Sequence, residues 1–206
     1  LFALGAVKKM VISDQISAHV DMIFANPAAF DALTLLQGLL GYAVQIYCDF
    51  SGYSDMAIGC ARLLGFRFPE NFAMPYSAVS IAELWRRWHM SLSSWLRDYL
   101  YIPLGGNRKG TTRTYVNLML TMLLGVLWHG ASWYFVIWGG LHGVALAVHR
   151  AWTSLPRVPP QPRSALHEWM RQIVFRWMTL GVVLVGWVFF RAQGLAGAWT
   201  FLSRLV

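Results

Sequence analysis

Charge is scarce in this sequence: charged residues fill 13% of 206 positions, against about 25% in an average soluble chain. That share excludes intrinsic disorder, which requires high charge and low hydrophobicity. It also leaves too little polar surface for an ordinary water-facing domain. Cysteine is nearly absent, with only Cys48 and Cys60. No CxxC or Cys/His spacing accompanies them, which argues against a disulfide framework or a metal site. Acidic residues thin out along the chain. Beyond Tyr99 there are ten basic residues and a single acidic one, Glu168. No glycine-rich phosphate loop occurs, so no bound cofactor is indicated. No repeat, low-complexity tract or signal-peptide pattern is present. The chain opens Leu1-Phe2-Ala3 without methionine and reads as a piece of a longer protein.

What is present is apolar and aromatic. Hydrophobic residues make up 57% of the chain, with 11 Trp, 12 Phe and 8 Tyr. This composition predicts an all-α polytopic membrane protein, one membrane-embedded domain over residues 1–206. The net charge of +8 does not point to nucleic acid, because the basic residues lie between apolar runs rather than in one patch. Lys and Arg that border apolar runs mark cytoplasmic loops, so the partner they imply is the lipid bilayer.

Four to five spans are predicted. Leu1 to Val7 reads as the tail of a span ending at a Lys8-Lys9 boundary. Ala32 to Cys48 is 17 residues without charge, just long enough to cross. Asp49 to Gly65 reads as a second polar-lined helix or a re-entrant segment, with Asp49 and Asp55 flanking a Ser-Gly-Tyr-Ser turn. They line a polar tunnel or mark a membrane boundary. Phe66 to Ser80 is a loop with two prolines. Ser80 and Glu83 form a capping box that starts a helix running to about Tyr101. On a 100° wheel Trp85, Trp88, Leu92, Trp95, Leu96 and Tyr99 share one stripe about 100° wide, which suggests an interfacial or cavity-lining helix. Tyr115 to His149 holds no Asp, Glu, Lys or Arg over 35 residues. At 1.5 Å per residue it is far longer than one crossing of the roughly 30 Å core. It must be a hairpin or a broken helix, with the break at Trp128-His129-Gly130-Ala131-Ser132. A proline-rich loop spans Pro156 to Pro162, and Ile173 to Phe190 is a last span.

His129 stands out because it sits at the middle of that uncharged run. An ionisable group at membrane depth is a functional candidate by default, and imidazole suits general-base work near neutral pH. The plainer alternative is a neutral histidine bonded across two helices. His89 falls at the border of the aromatic stripe, facing either a cavity or the interface. Arg86, Arg87 and Arg97 suit phosphate binding or snorkelling toward headgroups. His142 and His149 lack a third ligand for a metal. Gly139 and Gly143 form a small-xxx-small pair that favours close helix packing. These patterns leave two classes open, an intramembrane enzyme built on histidine and a transporter or channel whose polar residues line a path.

Several segments carry a further signal. They are Gly5-Ala-Val-Lys-Lys-Met-Val-Ile-Ser-Asp14, Tyr47-Cys-Asp-Phe-Ser-Gly-Tyr-Ser-Asp-Met-Ala-Ile-Gly59 and Leu64-Gly-Phe-Arg-Phe-Pro-Glu-Asn-Phe72. Leu84-Trp-Arg-Arg-Trp-His-Met-Ser-Leu-Ser-Ser-Trp-Leu-Arg-Asp-Tyr-Leu-Tyr-Ile-Pro-Leu-Gly-Gly-Asn107 and Leu127-Trp-His-Gly-Ala-Ser-Trp133 follow. With these the chain resembles the membrane-bound O-acyltransferase superfamily, most of all its bacterial alginate O-acetylation branch. More distantly it resembles teichoic acid D-alanyl transferases. The resemblance covers residues 5 to 143. It implies that His129 is the active-site histidine and His89 a second one, where other branches carry Asn or Asp. It implies that Trp85, Arg86, Arg87, Trp88, Asn107 and Asp49 face the substrates. It implies a multi-pass protein of the bacterial inner membrane. The donor would be a cytoplasmic acyl thioester, acetyl-coenzyme A or an acyl carrier. The acceptor would be an exported polysaccharide or a periplasmic O-acetyltransferase partner. A relay or transporter that hands acyl groups to such partners is the alternative.

Overall fold

The computed structural model describes residues 1–127, 129–130, 132–155 and 164–205. Helix dominates, and no strand occurs among the described residues. By internal packing the chain divides into two compact units, residues 1–71 with 184–206 and residues 72–183.

The first unit begins with α1 (Phe2–Ala6), a π-helical stretch Val7–Ser13 and α2 (Asp14–Ala25) in continuous succession. Asn26 and Pro27 end this run and lead through a short 3-10 turn. Asp31 then caps α3 (Ala32–Leu63), its carboxylate accepting the Thr34 N–H at 2.8 Å. Hydrogen bonds from Thr34 hold the Asp31 carboxyl below its usual pKa. α3 differs from the sequence expectation, since it runs unbroken through Asp49 and Asp55. Lys8-Lys9 likewise ends no helix. The reason is tertiary: Lys8 pairs with Asp55 at 2.6 Å, and Lys9 with Asp49 and Asp14. The charges neutralise one another between two helices instead of marking helix ends.

Glycines allow that approach. A Cβ on Gly5 would lie 2.5 Å from the Gly52 carbonyl oxygen, and one on Gly52 would lie 2.7 Å from that of Gly5. α9 (Leu195–Leu205) completes the unit against α3. Phe24 stacks on Phe201 with centroids 4.6 Å apart, and Tyr42 meets Trp187 edge-on at 6.3 Å. Arg191 pairs with Asp21 at the rim.

The second unit opens on the predicted loop. Ser80 starts α4 (Ile81–Trp85), accepting the Glu83 N–H at 3.2 Å, while Glu83 accepts the Val79 N–H at 2.9 Å. The helix expected to reach Tyr101 instead stops at Trp85. A turn follows, α5 (Met90–Leu96) begins anew, and a π-helical stretch Arg97–Tyr101 continues it. His89 sits at the break with φ 45°, so the single aromatic stripe of the wheel does not exist.

α6 (Gly110–Leu127) and α7 (Trp133–Ser154) form the expected hairpin. Gly139 and Gly143 face α6, against Val126 and Met119 respectively. α8 (Ala165–Arg191) continues from this unit into the first, and it is long and apolar enough to cross a membrane. Trp169, Met170, Val174 and Trp177 along it are exposed. The proline-rich 156–162 loop lies outside the described residues.

Candidate active site

The turn between α6 and α7 places His129. Gly130 makes it possible, with φ 152°, a conformation that L side chains avoid. A Cβ there would also lie 2.9 Å from the Phe135 ring. Trp128 and Ala131 of the same turn lie outside the described residues. The His129 ring is half-buried. Its Nδ1 lies 3.3 Å from the Val126 carbonyl oxygen, which favours a proton there and a lone pair on Nε2. Phe135 and Trp138 flank the imidazole, each with its ring centroid 5.8 Å away.

His89 sits on another turn of the same unit, between α4 and α5. A left-handed conformation at a non-glycine residue is sparsely populated and clusters at functional sites. An apolar groove of about 790 Å³ opens beside His89. Leu92, Trp95, Leu96 and Tyr99 wall one side, Leu124 and Gly125 the other. The exposed rings of Trp95 and Tyr99 stack 5.5 Å apart along it. Gly125 lets α5 close on α6, since a Cβ would meet Leu96 at 2.8 Å.

The remaining sequence candidates separate. Trp85 reaches the same cluster as His129 through Trp138, with indole centroids 6.0 Å apart. Trp88 is buried against Phe72 and Tyr76. Arg86 is exposed. Arg87 is a latch: its guanidinium donates to Glu83 at 2.5 Å, Ser77 at 3.0 Å and the Ala73 carbonyl at 3.4 Å. Asn107 accepts the Tyr101 hydroxyl in an exposed loop. Asp49 belongs to the first unit, paired with Lys9.

Two residues of the cluster escape sequence reasoning. The sequence pattern does not mark Trp138, and it marks His142 only beside His149, as an incomplete metal pair. The i, i+4 spacing of Trp138 and His142 puts them on one face of α7. Trp138 meets both His129 and His142, the latter at 5.1 Å, and His142 meets Trp85 at 5.3 Å. Chemically the arrangement offers an imidazole base in an aromatic enclosure and, in the same unit, a second imidazole on the wall of an apolar groove. That set suits removal of a proton from a hydroxyl where water is sparse.

Comparison with known proteins finds a family model and several relatives that match the chain. Residues 3–189 match the model of the MBOAT, membrane-bound O-acyltransferase family. The chain is 52% identical over 201 residues to a protein of Azotobacter vinelandii named "Probable alginate O-acetylase AlgI", covering 96% of this chain and 38% of that protein. It is 42% identical over 206 residues to the "Peptidoglycan O-acetyltransferase" of Helicobacter pylori, covering 100% of this chain and 38% of that protein. With the "Teichoic acid D-alanyltransferase" of Streptococcus thermophilus it shares 36% identity over 119 residues, 54% of this chain and 28% of that protein. The chain thus spans less than two-fifths of the length of these curated relatives.

Proposed function

The chain belongs to the membrane-bound O-acyltransferase family, and on that premise we propose that the protein containing it transfers a small acyl group from a thioester to a hydroxyl, with His129 as general base. The observation that carries this reading is the placement of His129, on a glycine-dependent turn and flanked by the rings of Phe135 and Trp138. The acceptor oxygen adds to the acyl carbon as His129 Nε2 takes its proton. The carbonyl π pair moves onto oxygen. When that pair returns, the C–S bond breaks, and the departing sulfur takes the proton from His129. An ester and a free thiol result. General-base catalysis of this kind contributes about 10²- to 10⁴-fold. His89 orients the acceptor or shares its proton.

The names of the relatives favour an exported glycan as acceptor, directly or through a periplasmic partner, and an acetyl group as cargo. The donor in this reading is cytoplasmic acetyl-coenzyme A or an acyl carrier. The protein resides as a multi-pass chain in the bacterial inner membrane. Four to five crossings fit the apolar runs of the sequence; α6 and α7, about 27 and 33 Å long, have the length for it, while among the described helices α8 alone is both long and apolar enough by itself.

The test is His129→Ala in the full-length protein, scored by O-acetyl content of the exported polymer. Acetyl content should fall to background while membrane insertion stays normal; unchanged acetylation would sink the reading. His89→Asn should retain more activity than His129→Ala. Full-length protein in lipid, given acetyl-coenzyme A and a glycan acceptor without other proteins, separates an enzyme from a relay.

A further inference from the structure

His142 is the most anomalous polar group of the second unit. Its ring is 2% exposed, and neither Nδ1 nor Nε2 has a hydrogen-bond partner. Trp85, whose ring meets it edge-on, buries an indole N–H that is equally unpartnered. Native structures rarely leave such groups unsatisfied, and an exception calls for an explanation, such as a catalytic role or a bound water. A neutral imidazole carries one N–H donor, and an indole carries one donor and no acceptor. The two rings meet edge-on with centroids 5.3 Å apart, so one oxygen acceptor beside both would satisfy both N–H groups. Trp138 links His142 to His129, touching both.

We propose that the Trp85 indole N–H and a His142 imidazole N–H form an oxyanion hole for the acyl carbonyl oxygen. This inference rests on the acyl-transfer reading above. When the acceptor oxygen adds to the acyl carbon, negative charge grows on the carbonyl oxygen. Preoriented donors in a dry site stabilise that charge more than the neutral ground state, so their effect appears in kcat. The aromatic walls of Trp85 and Trp138 keep water out and hold the two donors in fixed orientation.

The experiment uses full-length protein in lipid nanodiscs with acetyl-coenzyme A and an alginate oligosaccharide. His142→Phe keeps the ring and removes the donor; His142→Gln restores a donor. His142→Phe should lower kcat about 10²- to 10³-fold with KM unchanged, and His142→Gln should recover at least about tenfold of it. Trp85→Phe, which leaves His142 in place, should lose kcat comparably. Wild-type kcat in both Phe variants overturns the proposal, as does a Gln variant no better than Phe. A lowered thermal midpoint with kcat intact means that the donors serve an internal water, and this also overturns it. No turnover by wild-type protein counts against the acyl-transfer reading itself. A readout free of turnover then decides the hole: the unreactive ketone acetonyl-coenzyme A should shift the Trp85 indole resonance in ¹⁵N-labelled protein, and no shift refutes the proposal.

Discussion

Replacing Gly139 by alanine should loosen the α6–α7 hairpin and disturb the site at its end, whereas the same change one residue on should not. A Cβ at 139 would lie 2.6 Å from Val126 Cγ2 and 3.1 Å from the Met122 carbonyl oxygen. Ordinary contact begins near 3.4 Å, so the helices must part by about 0.8 Å, the difference between 3.4 and 2.6 Å. Val126 is 2% exposed and β-branched, so it has no alternative rotamer to retreat into. Overpacking of this kind costs about 1–3 kcal/mol. Alanine returns up to about 1 kcal/mol of helix propensity, leaving a net loss of about 1 kcal/mol. Trp138, the preceding residue, bridges His129 and His142, so α7 carries the displacement into the cluster. A misplacement near 1 Å can cost about 10²-fold in rate. At Gly140 nothing lies within 4 Å of where a Cβ would stand, so Gly140→Ala should hold stability and activity. Thermal unfolding in nanodiscs and acetyl transfer by the full-length protein measure both. Equal behaviour of the two variants would refute the close-packing argument.

Gly130→Ala should abolish most activity while leaving the hairpin folded, because its φ of 152° and the nearby Phe135 ring penalise any side chain; backbone strain of this kind costs about 1–3 kcal/mol. The measurement is acetyl transfer beside helical content. For the Lys8–Asp55 pair, whose side chains are 22% and 19% exposed, a double-mutant cycle of Lys8→Met and Asp55→Asn should give a coupling above the roughly 0.2–1 kcal/mol of fully exposed pairs. A coupling near zero would show that the glycine contacts, not this ion pair, hold the N-terminal helical run to α3. The Asp31 cap predicts a pH effect. Its carboxyl is depressed by Thr34, so its stabilising contribution is complete above the unfolded value of 3.8 and is lost as pH falls through the lowered folded value. Asp31→Ala should therefore melt below wild type at pH 7, and the gap should close in strong acid.

The sequence is legible where local chemistry decides. Ser80 and Asp31 start helices because their side chains meet orphan N–H groups within three residues. The uncharged run has to fold back on itself because it exceeds one membrane thickness, and Gly130 marks where. His129 is conspicuous for the same reason, as the histidine at the middle of that run. The α4–α5 break is not legible. No glycine or proline occurs from Leu84 to Trp95, so the wheel treats the segment as one helix, and the left-handed His89 is held by its surroundings rather than by its type.

Partner choice over distance is likewise beyond the sequence. Lys8 and Asp55 are 47 positions apart, Lys9 and Asp49 are 40, and nothing local tells a charge that ends a helix from one that meets its counterion across two. The same holds for Trp85 and His142, which lie on α4 and α7 with three turns and two helices between them in the chain. Composition, caps and run length determine by themselves that this protein is helical and membrane-suited, with a histidine at the turn of its longest uncharged run. Only the tertiary structure decides which rings enclose that histidine, because side chains far apart in sequence share a site only after glycine-thin helices have packed.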